Sequence, residues 1–262
     1  MSIGLLLAVL LAPFALLWLT PLVSELASYV TRPRPARAVN APAPRARLLF
    51  LIPAHDERLL IGECVRSLMA MSSARADSDV VVIADNCADE TAALARAGGA
   101  SVLERHDRSA PGKPRAIAWA LASLPVARYD AVVIVDADSV VVPGFADELA
   151  ARGPLRDIAV QGYFGVTNER DSWLSELGGL LITVRYEYQY PLKQRAGLNC
   201  PLTGCGMCLG TALLARSGWA DSLTENWELY ARYTALGERI DYAPLALVAS
   251  QEASTLAASG TQ

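Results

Sequence analysis

Residues Ala131 to Ser139 read AVVIVDADS, and related runs stand at Arg47 to Ile52 (RLLFLI) and Asp79 to Ala84 (DVVVIA). Apolar β-formers fill consecutive positions in these runs, which is how a strand reads when it is buried on both faces. Between them lie segments with helical spacing, Ile61 to Met71, Glu90 to Ala97 and Pro114 to Leu124, with a short strand at Ser101 to Leu103. Strands separated by helices of this size pair in parallel through right-handed crossovers. The pattern therefore predicts an α/β fold, a doubly wound, mostly parallel sheet with helices on both faces. The second half is less regular. It predicts a strand at Ile158 to Tyr163, a long helix at Ser172 to Arg195 and a loop or bulged strand at Pro201 to Gly210. A helix at Glu225 to Leu236 and a terminal strand pair, Arg239 to Ala243 and Leu245 to Val248, complete it.

The apolar fraction of 53% exceeds the globular norm, and the excess sits at the N-terminus. No charged residue occurs from Ser2 to Ser24. At helical rise, Ile3 to Leu22 would span roughly 30 Å, the thickness of a hydrocarbon core. The expectation is a transmembrane helix within residues 1–30, with a cleaved secretory signal as the alternative; no Lys or Arg precedes the run, and it is longer than a signal core. Residues 31–46 are rich in Pro and Arg and read as a stiff tether, and 47–262 form the globular domain. Arg32, Arg34, Arg37, Arg45 and Arg47, with no acid between Glu25 and Asp56, place the globular part on the cytoplasmic side of an inner, plasma membrane.

Of 23 Lys and Arg, five lie in the first 47 residues with one acid, leaving 18 basic against 26 acidic groups, a formal −8 for the remainder. Nucleic acid is thereby excluded as a natural partner, and an anionic substrate needs a metal ion or placed cations. Five cysteines, Cys64, Cys87, Cys200, Cys205 and Cys208, do not form a disulfide framework in a cytoplasmic domain. The last three have a zinc-like spacing but lack a nearby fourth ligand, so they read as small buried thiols. Aromatics at Trp173, Tyr186, Tyr188, Tyr190, Trp227, Tyr230 and Tyr233 read mostly as core, with one or two available as sugar platforms.

Chemistry concentrates where the strands stop. PAHDE (Pro53 to Glu57) follows the first strand, ADNCADET (Ala84 to Thr91) the second, and ERHDRSAPGKPRA (Glu104 to Ala116) precedes a helix. DADS then ends the central strand with Asp136 and Asp138, hard oxygen ligands suited to Mg2+ or Mn2+ together with substrate phosphates. GCGM (Gly204 to Met207) and TENWEL (Thr224 to Leu229) come later. Asp89 is expected to cap the helix at Glu90.

In this order the six motifs, covering about residues 47 to 250, resemble glycosyltransferase family 2, in particular its membrane-bound cellulose, chitin, hyaluronan and poly-N-acetylglucosamine synthase branch. The resemblance implies a GT-A domain that moves a sugar from a nucleotide sugar, such as a UDP-hexose or UDP-N-acetylhexosamine, to a glycan or lipid acceptor in polysaccharide biosynthesis. It assigns the donor to Pro53, Ala54, Glu57, Asp85, Lys113 and Asp136. The metal falls to Asp138 with Asp136, and the acceptor path to Gly204, Cys205, Gly206 and Met207. The reaction implied is an inverting displacement, with a general base taking the acceptor proton. The family's base is the aspartate of a T-E-D tripeptide, whereas this chain has Thr224, Glu225 and Asn226. An amide accepts no proton at physiological pH. Either Glu225 or Glu228, one turn apart, substitutes for it, or the protein is an impaired nucleotide-binding scaffold. A nucleotidyltransferase is a further alternative, although the Gly-rich basic loop it would use after the first strand is missing. The sequence also ends at Gln262, where the branch continues into a Q-x-x-R-W motif, so a longer parent chain is expected.

Overall fold

A computed structural model describes residues 45–251 and, separately, Val23. The expected anchor and nearly all of the linker lie outside the described residues. Among those described, no helix is long and apolar enough to cross a membrane.

The strands are β1 (Ala46–Ala54), β2 (Ala76–Asp85), β3 (Ser101–Arg105), β4 (Ala131–Ile134), β5 (Val140–Val141), β6 (Ala159–Val166), β7 (Met207–Gly210) and β8 (Ile240–Ser250). They form one sheet in the order β3-β2-β1-β4-β7-β6-β8-β5. β3, β2, β1 and β4 pair in parallel, as do β6 and β8, while β7 and β5 run antiparallel to their neighbours. The sheet is thus mixed, with a parallel half that matches the expectation. From β1 the chain steps outward to β2 and β3, then returns to place β4 on the other side of β1. The carboxyl ends of β1 and β4 flank that reversal, where open α/β sheets have their ligand crevice.

Consecutive burial along β1 explains the layering. Leu48, Phe50 and Ile52 pack with Ile61, Cys64, Val65 and Leu68 of α1 (Ile61–Met69) and with Phe145 and Leu149 of α4 (Phe145–Ala150). Leu49 and Leu51 face the other way. They meet Ile117 and Ala120 of α3 (Lys113–Ser123), Leu213 of α7 (Thr211–Ser217), and Leu229 and Tyr233 of α8 (Glu225–Ala235). Each Leu, Ile, Val or Phe among them contributes about 1.5–3 kcal/mol by leaving water. α2 (Thr91–Ala97) completes the first layer through Ala95.

Two elements depart from the sequence reading. The long helix is α5 (Trp173–Thr183) and α6 (Tyr190–Arg195), joined by a π-helical segment at Val184–Gln189. Pro191 follows at the start of α6 and has no N–H to place in a regular ladder. The terminal strand pair is one strand, β8, whose register against β6 shifts between Gly162 and Tyr163, so that residues 244–246 bulge instead of turning.

Candidate functional site

A cleft of about 460 Å3 opens at the carboxyl ends of β1, β2 and β4. It brings together Pro53, Ala54, Glu57, Asp85, Lys113, Asp136 and Asp138, all singled out in the sequence, and adds His55, Pro111 and Gly112.

Asp85 is the last residue of β2, and the parallel register sets Arg105 directly opposite it on β3. The two form a buried ion pair at 2.7 Å, with side chains 7% and 6% exposed. Asn86, in the left-handed region at φ 55°, donates to the same carboxylate at 3.0 Å and to the Asp107 carbonyl. His55 Nδ1 lies 2.7 Å from the Asp85 carbonyl. Asp85 is therefore held in one orientation beside the cleft. Neither Arg105 nor His55 was legible as a partner, because the contacts depend on strand register.

Lys113 begins α3. Its ammonium pairs with Asp136 at 2.5 Å and donates to the Gly204 carbonyl at 3.0 Å. Burial alone would lower its pKa, but the Asp136 charge and hydrogen bond, with Glu225 further off, raise it overall. The lysine thus stays charged in the cleft. Asp138 accepts from Ser250 at 2.8 Å and from Ser139 at 3.2 Å. Glu57 is raised above the usual glutamate range by burial and then by the charges of Asp138, Asp89 and Asp136. Three carboxylates with hard oxygens thus converge on a cleft where Lys113 is the lining lysine, and mutual repulsion is already felt. That donor set fits a divalent Mg2+- or Mn2+-like cation.

A second acidic group stands nearby: the ligand atoms of Asp56, Cys87 and Asp89 lie within 4.8 Å of one another. Its carboxylates are engaged in the turn itself. Asp56 accepts from the Ala88 N–H at 2.7 Å, and Asp89 from the N–H groups of Thr91 and Arg58. The expected Asp89 cap is not formed: α2 starts at Thr91, its N-cap residue is Glu90 without a side-chain capping bond, and Asp89 accepts from the Thr91 N–H at 2.9 Å one residue further out.

The Gly204 to Met207 stretch runs into β7 and is fixed from behind. Gln161, fully buried, donates to the Cys205 carbonyl at 2.9 Å and accepts from the Thr203 N–H at 3.0 Å. Gly206 has φ +66°, and a Cβ there would stand 2.8 Å from Val248. Cys205 touches the DADS turn, its sulfur 3.4 Å from the Asp136 N–H, and burial followed by the Asp136 charge pushes its thiol pKa up to about 12. Cys200 packs in a separate cluster with Tyr186, Tyr190 and Tyr242, away from Cys205 and Cys208.

The three candidates at the start of α8 are not equivalent. Glu225 is buried and is not among the residues that line the cleft; burial raises its pKa, opposed by the Lys113 charge and reinforced by that of Asp136, so it lies within the electrostatic reach of both. Glu228 is paired with Arg232 and is lowered by hydrogen bonds from Ser222 and Arg232. Asn226 donates to the Leu202 carbonyl at 3.3 Å, tying α8 to the loop before Gly204. Of the aromatics, Tyr186, Tyr190 and Tyr233 are buried, while Trp173, Tyr188 and Trp227 are exposed.

Comparison with curated proteins finds no match. Among solved structures, a mannosyltransferase from Pyrobaculum calidifontis in complex with GDP-Man and Mn2+ superposes with a TM-score of 0.67 at 20% identity, covering 93% of this chain and 67% of that one. A glucosyl-3-phosphoglycerate synthase from Mycobacterium tuberculosis, solved with Mn2+, UDP and phosphoglyceric acid, gives 0.58 at 22%, covering 88% and 80%. At these identities the likeness is one of fold, the GT-A-type fold expected. The family description Glycosyltransferase like family 2 matches residues 44–262. With that match over most of its length, the chain belongs to glycosyltransferase-like family 2 and is a glycosyltransferase.

Proposed function

We propose that the chain is a membrane-anchored inverting glycosyltransferase of the membrane-bound synthase type, moving a hexose or N-acetylhexosamine from its UDP derivative to a glycan or lipid hydroxyl. The observation that carries this reading is the convergence of Glu57, Asp85, Lys113, Asp136 and Asp138 on one cleft at the reversal of the sheet. Both solved relatives named above hold a nucleotide or nucleotide sugar with Mn2+. Asp85, fixed by Arg105, accepts the uracil imide N–H, and the end of β1 at Pro53 and Ala54 lies along the base. Lys113 offers a charge to the diphosphate. Asp138, oriented by Ser250, and Asp136 would hold Mg2+ or Mn2+. A cation there supplies charge stabilisation to the departing diphosphate. Glu225 takes the proton of the acceptor hydroxyl, whose path runs along Gly204, Cys205, Gly206 and Met207. Residues 1–30 anchor the chain in the inner membrane, 31–46 tether it, and 47–262 form the catalytic domain on the cytoplasmic side.

The test is UDP release from a panel of UDP-sugars by the full chain, with UDP binding followed by thermal shift in the presence and absence of Mn2+. Turnover that requires Mn2+, and loss of the Mn2+ dependence of UDP binding in Asp138→Asn, are expected. UDP affinity unchanged by chelation defeats the metal assignment. Binding with no turnover of any donor favours the scaffold alternative, which Asn226 motivates.

A further inference from the structure

The DADS turn leads straight into β5, and that two-residue strand determines what stands behind Asp138. Val140 pairs with Ala249 and Val141 with Val248, antiparallel. Extended by one step, the same register sets Ser139 opposite Ser250, the last residue of β8. Both serines are buried, at 0% and 6% exposure, and neither lines the cleft, whereas Asp138 is half-buried and does. The carboxylate therefore has the two hydroxyls on its inner side. Ser250 Oγ donates to Oδ2 at 2.8 Å, and Ser139 Oγ to Oδ1 at 3.2 Å. A carboxylate offers about four lone-pair directions, so each oxygen keeps capacity for another partner.

Ser250 is itself held from two sides. β8 pairs with β5 on one side and with β6 on the other, where Ser250 stands opposite Val166. Thr167, the residue after β6, donates its N–H at 2.9 Å and its hydroxyl at 3.2 Å to the Ser250 carbonyl. A side chain on so fixed a backbone meets Asp138 with little further loss of freedom. Ser139 is bound less tightly, since its bond to Asp138 is longer and its hydroxyl also accepts from the Cys205 thiol at 3.5 Å.

We propose that Ser250 is a positioning residue for the divalent cation, its hydroxyl fixing the rotation of the Asp138 carboxylate before a cation arrives. The inference rests on the metal assignment made above and adds to it a residue 112 positions further along the chain. Without the hydroxyl, Asp138 would have to be ordered at the moment of binding, and the affinity for the ion would fall. Removing an outer hydrogen-bond partner of a metal ligand typically weakens binding about 10- to 100-fold. Because Ser139 still holds the other oxygen, the lower end of that range is expected here. A serine that merely closed the end of β8 would affect stability and leave the ion unaffected.

The test titrates the full chain with Mn2+ at fixed UDP, bound ion being read as loss of the free-ion electron paramagnetic resonance signal relative to the same UDP solution without protein. It needs no sugar donor, acceptor or turnover. Ser250→Ala is expected to weaken Mn2+ binding about tenfold, whereas Ser250→Thr, which keeps a hydroxyl, binds as wild type does. Ser250→Val has the shape of Thr without its hydroxyl and should be as weak as Ser250→Ala, so the comparison also stands at constant volume. Melting temperatures without ligand report on the fold of each variant. Wild-type Mn2+ affinity in Ser250→Ala and Ser250→Val, beside a weakened Asp138→Asn, overturns the positioning role and leaves the metal site in place. An equal loss in Ser250→Val and Ser250→Thr also overturns it, since the defect then follows packing and not the hydroxyl. Mn2+ affinity that Asp138→Asn does not change removes the metal assignment itself, and the role of Ser250 with it.

Discussion

At the scale of residues, the question is which group takes the acceptor proton when the family aspartate is Asn226. Glu225 and Glu228 share a helix turn, but their surroundings separate them. Glu228 is half-buried and occupied by Arg232, whereas Glu225 is buried within the field of Lys113 and Asp136. We therefore expect Glu225→Gln to abolish UDP-sugar turnover while UDP binding stays nearly intact, and Glu228→Gln to change turnover little. Asn226→Asp should raise turnover, since a displaced base forfeits part of a contribution of about 10² to 10⁴ in rate. Steady-state kinetics with a binding isotherm for each variant checks this. A neutral Asn226→Asp with both glutamates dispensable removes the assignment. The pH dependence carries a sign. A base works when deprotonated, and burial of Glu225 raises its pKa above the ordinary glutamate value of 4.5. Activity should then fall on acidification at a higher pH than an exposed glutamate would give, and the acid limb of kcat at saturating metal and donor reads this directly. An acid limb at or below 4.5 assigns the proton transfer elsewhere.

At the scale of elements, β7 is the piece that joins the parallel half of the sheet to β6 and β8, and it ends in a glycine for a steric reason. A Cβ on Gly210 would stand 2.2 Å from the Leu155 carbonyl oxygen and 2.3 Å from that of Arg156. These are backbone atoms that cannot turn aside. Gly210→Ala should cost about 1–3 kcal/mol or more by overpacking. In contrast, Gly62 in α1 has open space around its missing Cβ, so Gly62→Ala should stabilise by up to about 1 kcal/mol. Urea midpoints of the two variants, compared with wild type, test the pair. The same elements show what sequence can convey. β1, β2 and β4 were legible because burial on both faces leaves unbroken apolar runs, and the cleft residues because they interrupt those runs. β5, with two residues, and α4, with six, are too short to show a period. β8 was divided in two because Pro244 reads as a stop. The bulge opposite Gly162 carries the chain past it, and only the register with β6 reveals that. Arg105 was hidden for the same reason. It stands 20 residues from Asp85, and the β2–β3 register alone makes them neighbours.

At the scale of the whole molecule, charge distribution constrains how the chain can meet a membrane. Beyond residue 47 the formal charge is −8, while the five arginines up to that point form a basic stretch. A cytoplasmic leaflet is itself negative, so the bulk of the domain is repelled by the surface that the arginines attract. Electrostatic attachment through five arginines would be released by salt, because exposed charges are screened within a Debye length of about 8 Å at physiological ionic strength. Retention by the apolar Ile3 to Leu22 run has no such dependence. We therefore predict that the full chain sediments with inner membranes and resists extraction by high salt. The portion from Ala46 onward should also be protected from protease added to the outside of intact cells and digested once the membrane is opened. Release by salt reduces the N-terminal segment to a peripheral contact, and recovery of a secreted chain lacking residues 1–24 makes the apolar run a signal. Digestion of the domain from outside reverses the orientation read from the arginines.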